Sequence, residues 1–220
     1  MNLIALTKPS CEFVEKKHPI NKTITNNSNI GLNIQYSDYS DIRKITASDN
    51  YRGIYAYSQD FCNFSDITLS GSNSDSNAYG LYLQGGYNNF SNMTIYDNYA
   101  GIRILSGHDN NLSDINIENN TIGIRIESSG PYLNHLKDIT GRNNTKSIQF
   151  SFSDNNTLEN VFLSDTDYGL DIEWSSRYNI INNVTINNSG TYAIYYYQSH
   201  YNLSLIHISE PTRPLYISYA

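Results

Sequence analysis

Apolar and polar residues alternate in short segments that recur along most of this chain. The clearest segments read Gly-apolar-x-apolar and return at intervals of about 22 residues. Strict alternation predicts a β-strand with one buried side. The leading glycine suits a turn that needs positive φ or close backbone approach. These segments begin at Gly31, Gly53, Gly80, Gly101, Gly123 and Gly169, with variants at Ser147 and Ala193.

A second apolar pattern lies between these segments, with steps of three and then two residues. Equivalent positions in successive repeats form a row, and each row supplies one inward side chain per repeat. Stacked repeats therefore bury apolar side chains that a single repeat would leave exposed. The first row is Phe64, Phe90, Leu112, Leu136, Leu158 and Ile181. The second is Ile67, Met93, Ile115, Ile139, Val161 and Val184, and the third is Leu69, Ile95, Ile117, Gly141, Leu163 and Ile186.

Asn and Asp recur at fixed turn positions. Their side chains hydrogen-bond turn backbone and tolerate the left-handed conformation, and stacked amides bond one another along the axis. Cys62 replaces Asn in one row, which predicts a buried thiol. That row, the predicted structural ladder, continues through Asn88, Asn110, Asn134, Asn156 and Asn179. A second turn row is Asp66, Asn92, Asp114, Asp138, Asn160 and Asn183.

Helical periodicity is absent, and the repeats are too short for helical crossovers between strands. We therefore predict an all-β fold, a right-handed parallel β-helix solenoid of about eight coils. Residues 1–20 are predicted to form an irregular lead-in or partial coil, and residues 21–202 the repeat domain.

These repeats resemble those of the pectate-lyase-like superfamily of parallel β-helix proteins. The resemblance is greatest to the Asn-rich repeats of NosD-type periplasmic proteins and archaeal surface proteins. It covers roughly Asn21 to Asn202 and implies the fold. It leaves the function open, because this scaffold hosts lyases, hydrolases, epimerases, adhesins and structural proteins.

The end of the chain departs from the repeat. Residues 203–220 resemble a translated sequencing adapter, and we interpret them as a non-native tail. On this interpretation the chain is a piece of a longer solenoid. An uncapped last coil would expose a strand edge, which predicts end-to-end self-association.

Composition narrows the class of protein. The net charge is −7 with no basic stretch, which argues against nucleic-acid binding, and no apolar run is long enough to span a bilayer. Asn, Ser and Tyr dominate over Lys and Glu, as in many extracellular proteins. We expect an extracellular, cell-surface or periplasmic location for the full-length protein. The many Asn-x-Ser/Thr sequons fit glycosylation, or arise by chance in Asn-rich turns.

Candidate chemistry lies on the outward side of the Gly-apolar-x-apolar strands. Residues two and four positions after the glycine should form two parallel rows along the solenoid. Within a row, residues of neighbouring coils should lie about 4.8 Å apart. Tyr offers a ring and a hydroxyl to sugars, and Arg pairs with the carboxylates of uronic acids. The candidate glycan-binding residues are Tyr55, Tyr82, Arg103, Arg125, Glu127, Asp171, Glu173 and Tyr195.

Three functions remain open from the sequence. The first is a surface scaffold or carbohydrate-binding module. The second is a polysaccharide-active enzyme, a lyase, epimerase or hydrolase, with Arg125, Asp171 and Glu173 as candidate catalytic residues. The third is a NosD-type accessory protein that handles a metal, although no His/Met/Cys cluster with ligand spacing is present. We predict no cofactor and no metal site.

Overall fold

A computed structural model shows a solenoid built from parallel strands, and the prediction of an all-β parallel coil is confirmed. The structure describes residues 4–6, 20–25, 29–58, 60–71, 78–131 and 133–209. Within these residues the chain completes about seven turns, slightly fewer than the eight predicted. Most of the predicted lead-in, residues 1–3 and 7–19, and the last part of the predicted tail, residues 210–220, lie outside the described residues.

Sixteen strands alternate between two stacks in the described part of the chain. The first eight are β1 (Ile4–Leu6), β2 (Ile20–Thr25), β3 (Ile30–Gln35), β4 (Asp41–Ser48), β5 (Arg52–Tyr57), β6 (Asn63–Ser70), β7 (Tyr79–Gln84) and β8 (Asn89–Tyr96). The others are β9 (Ala100–Leu105), β10 (Asn111–Glu118), β11 (Ile122–Pro131), β12 (His135–Arg142), β13 (Lys146–Asp154), β14 (Thr157–Glu173), β15 (Ile180–Tyr197) and β16 (Leu203–Ser209).

The odd-numbered strands from β1 to β13 form what we call the glycine stack, continued by the second halves of β14 and β15. The even-numbered strands form the Asx stack with the first halves of β14 and β15, and β16 pairs with β15 at its end. Strands β14 and β15 run through both stacks, because no break separates their two halves.

From β4 to the first half of β15, each strand of the Asx stack bends at a residue in the left-handed conformation. In β10 this residue is Asp114, with φ of 55°. A left-handed residue shifts the alternation of side chains, so Leu112 and Ile115, three positions apart, both point inward. This explains the three-residue step in the apolar pattern. All six residues predicted for this turn row have positive φ, between 51° and 57°.

The predicted inward rows form one continuous core. Of the apolar side chains in the three rows, all are at most 2% exposed. The glycines serve close approach: a Cβ on Gly101 would lie 2.7 Å from the carbonyl oxygen of Gly123 on the next coil. Only Gly71 and Gly85 among the described glycines have positive φ, so of the two uses expected for the strand glycines, close approach is the one found.

The predicted Asn ladder is present and buried. The side-chain amide of each Asn donates to the Oδ1 of the Asn on the following coil at 3.0–3.1 Å. The backbone N–H of each donates to the same oxygen at 2.8–3.2 Å. Asn179 continues the ladder to Asn202, and Cys62 begins it as a buried residue whose N–H donates to Asn88.

A second buried ladder escaped the sequence interpretation. Asn98, Asn120 and Asn144 repeat the same contacts, with amide-to-Oδ1 distances of 3.1 Å. The signal is an Asn three residues before the Gly position, as Asn98 lies before Gly101, Asn120 before Gly123 and Asn144 before Ser147. The two ladders hold two corners of the coil.

Strand β16 covers the first part of the predicted tail. It pairs with β15, but the register shifts between Asn182 and Val184. Before this shift Ser204 lies opposite the core residue Ile181, and Leu203 is 62% exposed. The non-native origin of residues 203–220 stays a prediction.

Candidate functional site

The candidate site is the outer face of the glycine stack. The predicted first row is in register from coil to coil, because each member pairs with the next in the strand ladder. It reads Asn33, Tyr55, Tyr82, Arg103, Arg125, Gln149, Asp171 and Tyr195. Glu127 and Glu173 lie in the second row, two residues further along their strands.

A third row on this face was missed from the sequence. It consists of the residue before each strand's Gly position, and its side chains pack against the first row. Tyr79, Ala100 and Ile122 of this row form a buried apolar cluster with Tyr82 of the first row. The available signal was a bulky residue before the Gly position. The described members include Ile30, Arg52, Tyr79, Ala100, Ile122, Lys146, Tyr168 and Tyr192.

This third row changes the accessibility of the face. Three residues of the outward first row are buried: Tyr82, Gln149 and Asp171 are 8%, 3% and 0% exposed. The long side chains of the third row cover the first row, and they bring new partners to it. Glu173 and Arg125 remain partly exposed.

Arg103 and Arg125 share one carboxylate. Both Glu127 oxygens are engaged: Oε2 lies 2.6 Å from Nη2 of Arg103, and Oε1 pairs with Nε of Arg125. The phenol of Tyr79 accepts a further hydrogen bond from Arg103. Burial lowers the pKa of Arg125, and the positive charge of Arg103 lowers it further. The single carboxylate neutralises one of the two guanidinium charges, which leaves a net charge of about +1 on the three side chains.

Asp171 and Glu173 form the second charged group. Nζ of Lys146 lies 2.5 Å from Oδ2 of Asp171, and the carboxylate is buried. The amide nitrogen of Gln149 donates to Asp171 Oδ2 at 3.0 Å and to Glu173 Oε1 at 2.9 Å. Those two oxygens are therefore at most 5.9 Å apart, the sum of the two distances.

Glu173 differs from Asp171 in its surroundings. Burial raises the pKa of Glu173, and the neighbouring Asp171 carboxylate raises it further, whereas Lys146 and Arg125 act in the opposite direction. A carboxyl with a raised pKa beside a carboxylate paired with an ammonium is the arrangement of an acid and its partner. The sequence placed these two residues together, but Lys146 and Gln149 supply the geometry.

Two buried oxygens in this group have no hydrogen-bond partner. They are Oε1 of Gln149 and Oδ1 of Asp171, on neighbouring coils. An unsatisfied buried acceptor costs about 1–3 kcal/mol. Both can accept hydrogen bonds from hydroxyl groups of a ligand.

The tyrosine rings of this face pack against one another, which the sequence did not indicate. Tyr55 stacks on Tyr82 with ring centroids 4.9 Å apart and planes 18° apart, so that these rings occupy each other's faces. Burial raises the pKa of Tyr82. Tyr195 lies on the rung after Asp171 and contacts Tyr168 and Tyr192. Tyr55 and Tyr82 therefore each have one ring face covered by the other.

Neither a group placed to hold a metal ion nor a membrane-spanning helix is found in the described part of the chain. No group of three or more His, Cys, Asp and Glu residues there is placed to hold a metal ion. The described residues also contain no helix that is long and apolar enough to cross a membrane.

Comparison with known proteins places the fold. The chain is similar in structure to ORF18 of Geobacillus virus E2, with a TM-score of 0.50 and 13% identity, over 86% of this chain and 47% of that one. It is also similar to the enzymatically active domain of tailspike protein 2 of bacteriophage CBA120, with a TM-score of 0.48 and 12% identity, over 86% and 38% of the two chains. The chain thus spans less than half of either protein.

No curated protein sequence matches this one. The family described as "Right handed beta helix region" matches residues 52–208. The narrower likeness to pectate-lyase-like and NosD-type proteins stays a prediction. The chain belongs to the right-handed β-helix family.

Proposed function

We propose that this β-helix is a scaffold that binds a polysaccharide along the outer face of its glycine stack. The observation that carries the proposal is the pair of unpartnered buried oxygens on Gln149 and Asp171, beside the partly exposed Glu173. A purely structural coil gains nothing from such oxygens, because each costs free energy in the folded state. Sugar hydroxyls would satisfy them.

The solenoid suits a linear polymer. Its rungs repeat about every 4.8 Å, so five rungs cover roughly 24 Å of a chain lying along the axis. The side chain of Lys146, 30% exposed, covers Asp171 and has to move for a hydroxyl to reach that carboxylate. The proposal keeps the extracellular, cell-surface or periplasmic setting that the composition favours.

The test is a binding screen with one variant in the site and one control variant outside it. The intact chain is titrated with uronic-acid-containing and neutral polysaccharides by affinity electrophoresis. Gln149→Ala should weaken binding about tenfold, because it removes the amide that joins the two carboxylates. Glu118→Gln, on the Asx stack, should leave binding unchanged. Absence of binding to every polymer, or full affinity in Gln149→Ala, would refute the proposal.

A second candidate function is cleavage of the bound glycan, which the Asp171–Glu173 geometry favours. A protonated Glu173 would donate its proton to the glycosidic oxygen as the bond from that oxygen to the anomeric carbon breaks. Asp171 would attack the anomeric carbon, and a water molecule deprotonated by the Glu173 carboxylate would then release the sugar by displacing Asp171. A limit of 5.9 Å between the two oxygens suits this retaining class, whose carboxyl groups lie about 5–5.5 Å apart.

Release of reducing ends from a bound polymer tests the cleavage. Both Asp171→Asn and Glu173→Gln should abolish it while the polymer still binds. Wild-type protein that binds a polymer but releases no reducing ends from it would leave the binding function alone.

A further inference from the structure

Arg52 stands apart from the other arginines of the outer face. It belongs to the third row, between Ile30 and Tyr79 on the neighbouring coils. Arg103 and Arg125 are paired with Glu127, whereas Arg52 forms no ion pair with any residue that the structure describes. Its Nε is buried and has no hydrogen-bond partner.

Four tyrosine rings surround the Arg52 guanidinium. Its central carbon lies 5.1–5.9 Å from their centroids, which is within the range of cation–π contact. The rings hold the cation in place without neutralising its charge. They are Tyr51, Tyr55, Tyr79 and Tyr82.

A buried acceptor lies on the adjacent coil. Oδ1 of Asn33 has no hydrogen-bond partner, and Asn33 pairs with Tyr55 in the strand ladder. A free donor on a cation and a free acceptor thus flank the same tyrosine. A ligand that satisfies both needs an oxyanion and a hydroxyl group.

We propose that Arg52 and Asn33 form a subsite for the carboxylate and a hydroxyl of a uronic-acid residue. The proposal rests on the proposed function and deepens it, since it assigns the polymer to the acidic class. Arg52 lies five rungs from Asp171, roughly 24 Å along the axis. A glycan that extends between them crosses the Arg103–Arg125–Glu127 group, whose net charge is about +1 and favours an acidic chain.

The positions of Arg52 and Asn33 also predict which acidic ligands bind more tightly than others. A planar guanidinium donates to carboxylates through several N–H groups in a fixed arrangement. A plain anion satisfies Arg52 alone, whereas a sugar acid satisfies Asn33 as well. The subsite should therefore bind galacturonate more tightly than acetate, and both more tightly than galactose.

The experiment follows the Nε–H signal of Arg52 by NMR in the intact chain. The signal is identified by its loss in Arg52→Lys, and sodium galacturonate, sodium acetate and galactose are titrated separately. We expect a saturable shift with galacturonate at least about tenfold tighter than with galactose, as for a hydrogen bond to a charged group. The Arg43 signal is the control, since that exposed guanidinium pairs with Asp41 on the Asx stack.

Asn33→Ala should weaken galacturonate binding several-fold and leave acetate binding unchanged. The subsite is overturned if galacturonate produces no saturable shift at Arg52, or if galactose shifts it equally. The NMR titration and the polysaccharide screen can fail independently, because the first reports on Arg52 and the second on Gln149. A shift at Arg52 without any polymer binding would retain the anion subsite and remove the glycan function.

Discussion

The buried Asn ladder makes a quantitative prediction at Asn110. Its side chain forms four hydrogen bonds: Oδ1 accepts from the backbone N–H and the amide of Asn88, both at 3.0 Å. Its own amide donates to Gly85 O at 3.1 Å and to Asn134 Oδ1 at 3.0 Å. Replacing Asn110 with Ala removes all four bonds and leaves the Asn88 backbone N–H buried without its acceptor.

The cost follows from these contacts. A net hydrogen bond contributes about 0.5–1.5 kcal/mol, and an orphaned buried donor costs about 1–3 kcal/mol. Some of the groups keep other partners, since Gly85 O also accepts from the backbone of His108. We therefore expect Asn110→Ala to lower the free energy of unfolding by about 3 kcal/mol.

The neighbouring residue supplies the control. Asn111 is exposed and undergoes the same chemical change, so Asn111→Ala should alter stability by no more than about 0.5 kcal/mol. The two variants are compared by equilibrium unfolding in urea, followed by far-UV circular dichroism. A difference of less than 1 kcal/mol between them would show that the ladder does not hold the coils together in the way argued above.

Two further predictions concern Glu173 and the ion pair between Lys146 and Asp171. The folded-state pKa of Glu173 is raised, so its contribution to stability is present below the unfolded value of about 4.3 and is lost as the pH rises through the folded value. Glu173→Gln should therefore gain stability relative to wild type between about pH 4 and pH 7; a constant difference in unfolding midpoint over that range would contradict the shift. Lys146→Met should destabilise the fold by about 2 kcal/mol, because it leaves the buried Asp171 carboxylate without its cation. Adding Asp171→Asn should restore most of that loss in a double-mutant cycle, and equal effects of Lys146→Met in both backgrounds would show that the pair is not coupled.

The fold was predictable because its physical causes are local and repeated. A coil of about 22 residues places similar side chains on top of one another, so a row read from the sequence is also a row in space. The ladder from Asn88 to Asn179 and the turn row from Asp66 to Asn183 are confirmed on this basis. The second ladder, at Asn98, follows from the same periodicity and could have been found.

The candidate site was predictable only in part. The register brought Asp171 and Glu173 to one face, as the two-residue spacing required. The residue before each Gly position, however, was not expected to reach this face. Lys146 and Arg52 are therefore absent from the predicted site, although they supply the ammonium on Asp171 and the unpaired guanidinium.

The sequence by itself determined the coil, its period, its inward rows and the register of its outward residues. Only the tertiary structure decided burial and partners on the outer face. Whether Asp171 is exposed depends on how the side chains of Lys146 and Gln149 fold over it from the preceding coil. Such contacts depend on side-chain length and direction across coils, which a one-dimensional repeat does not encode.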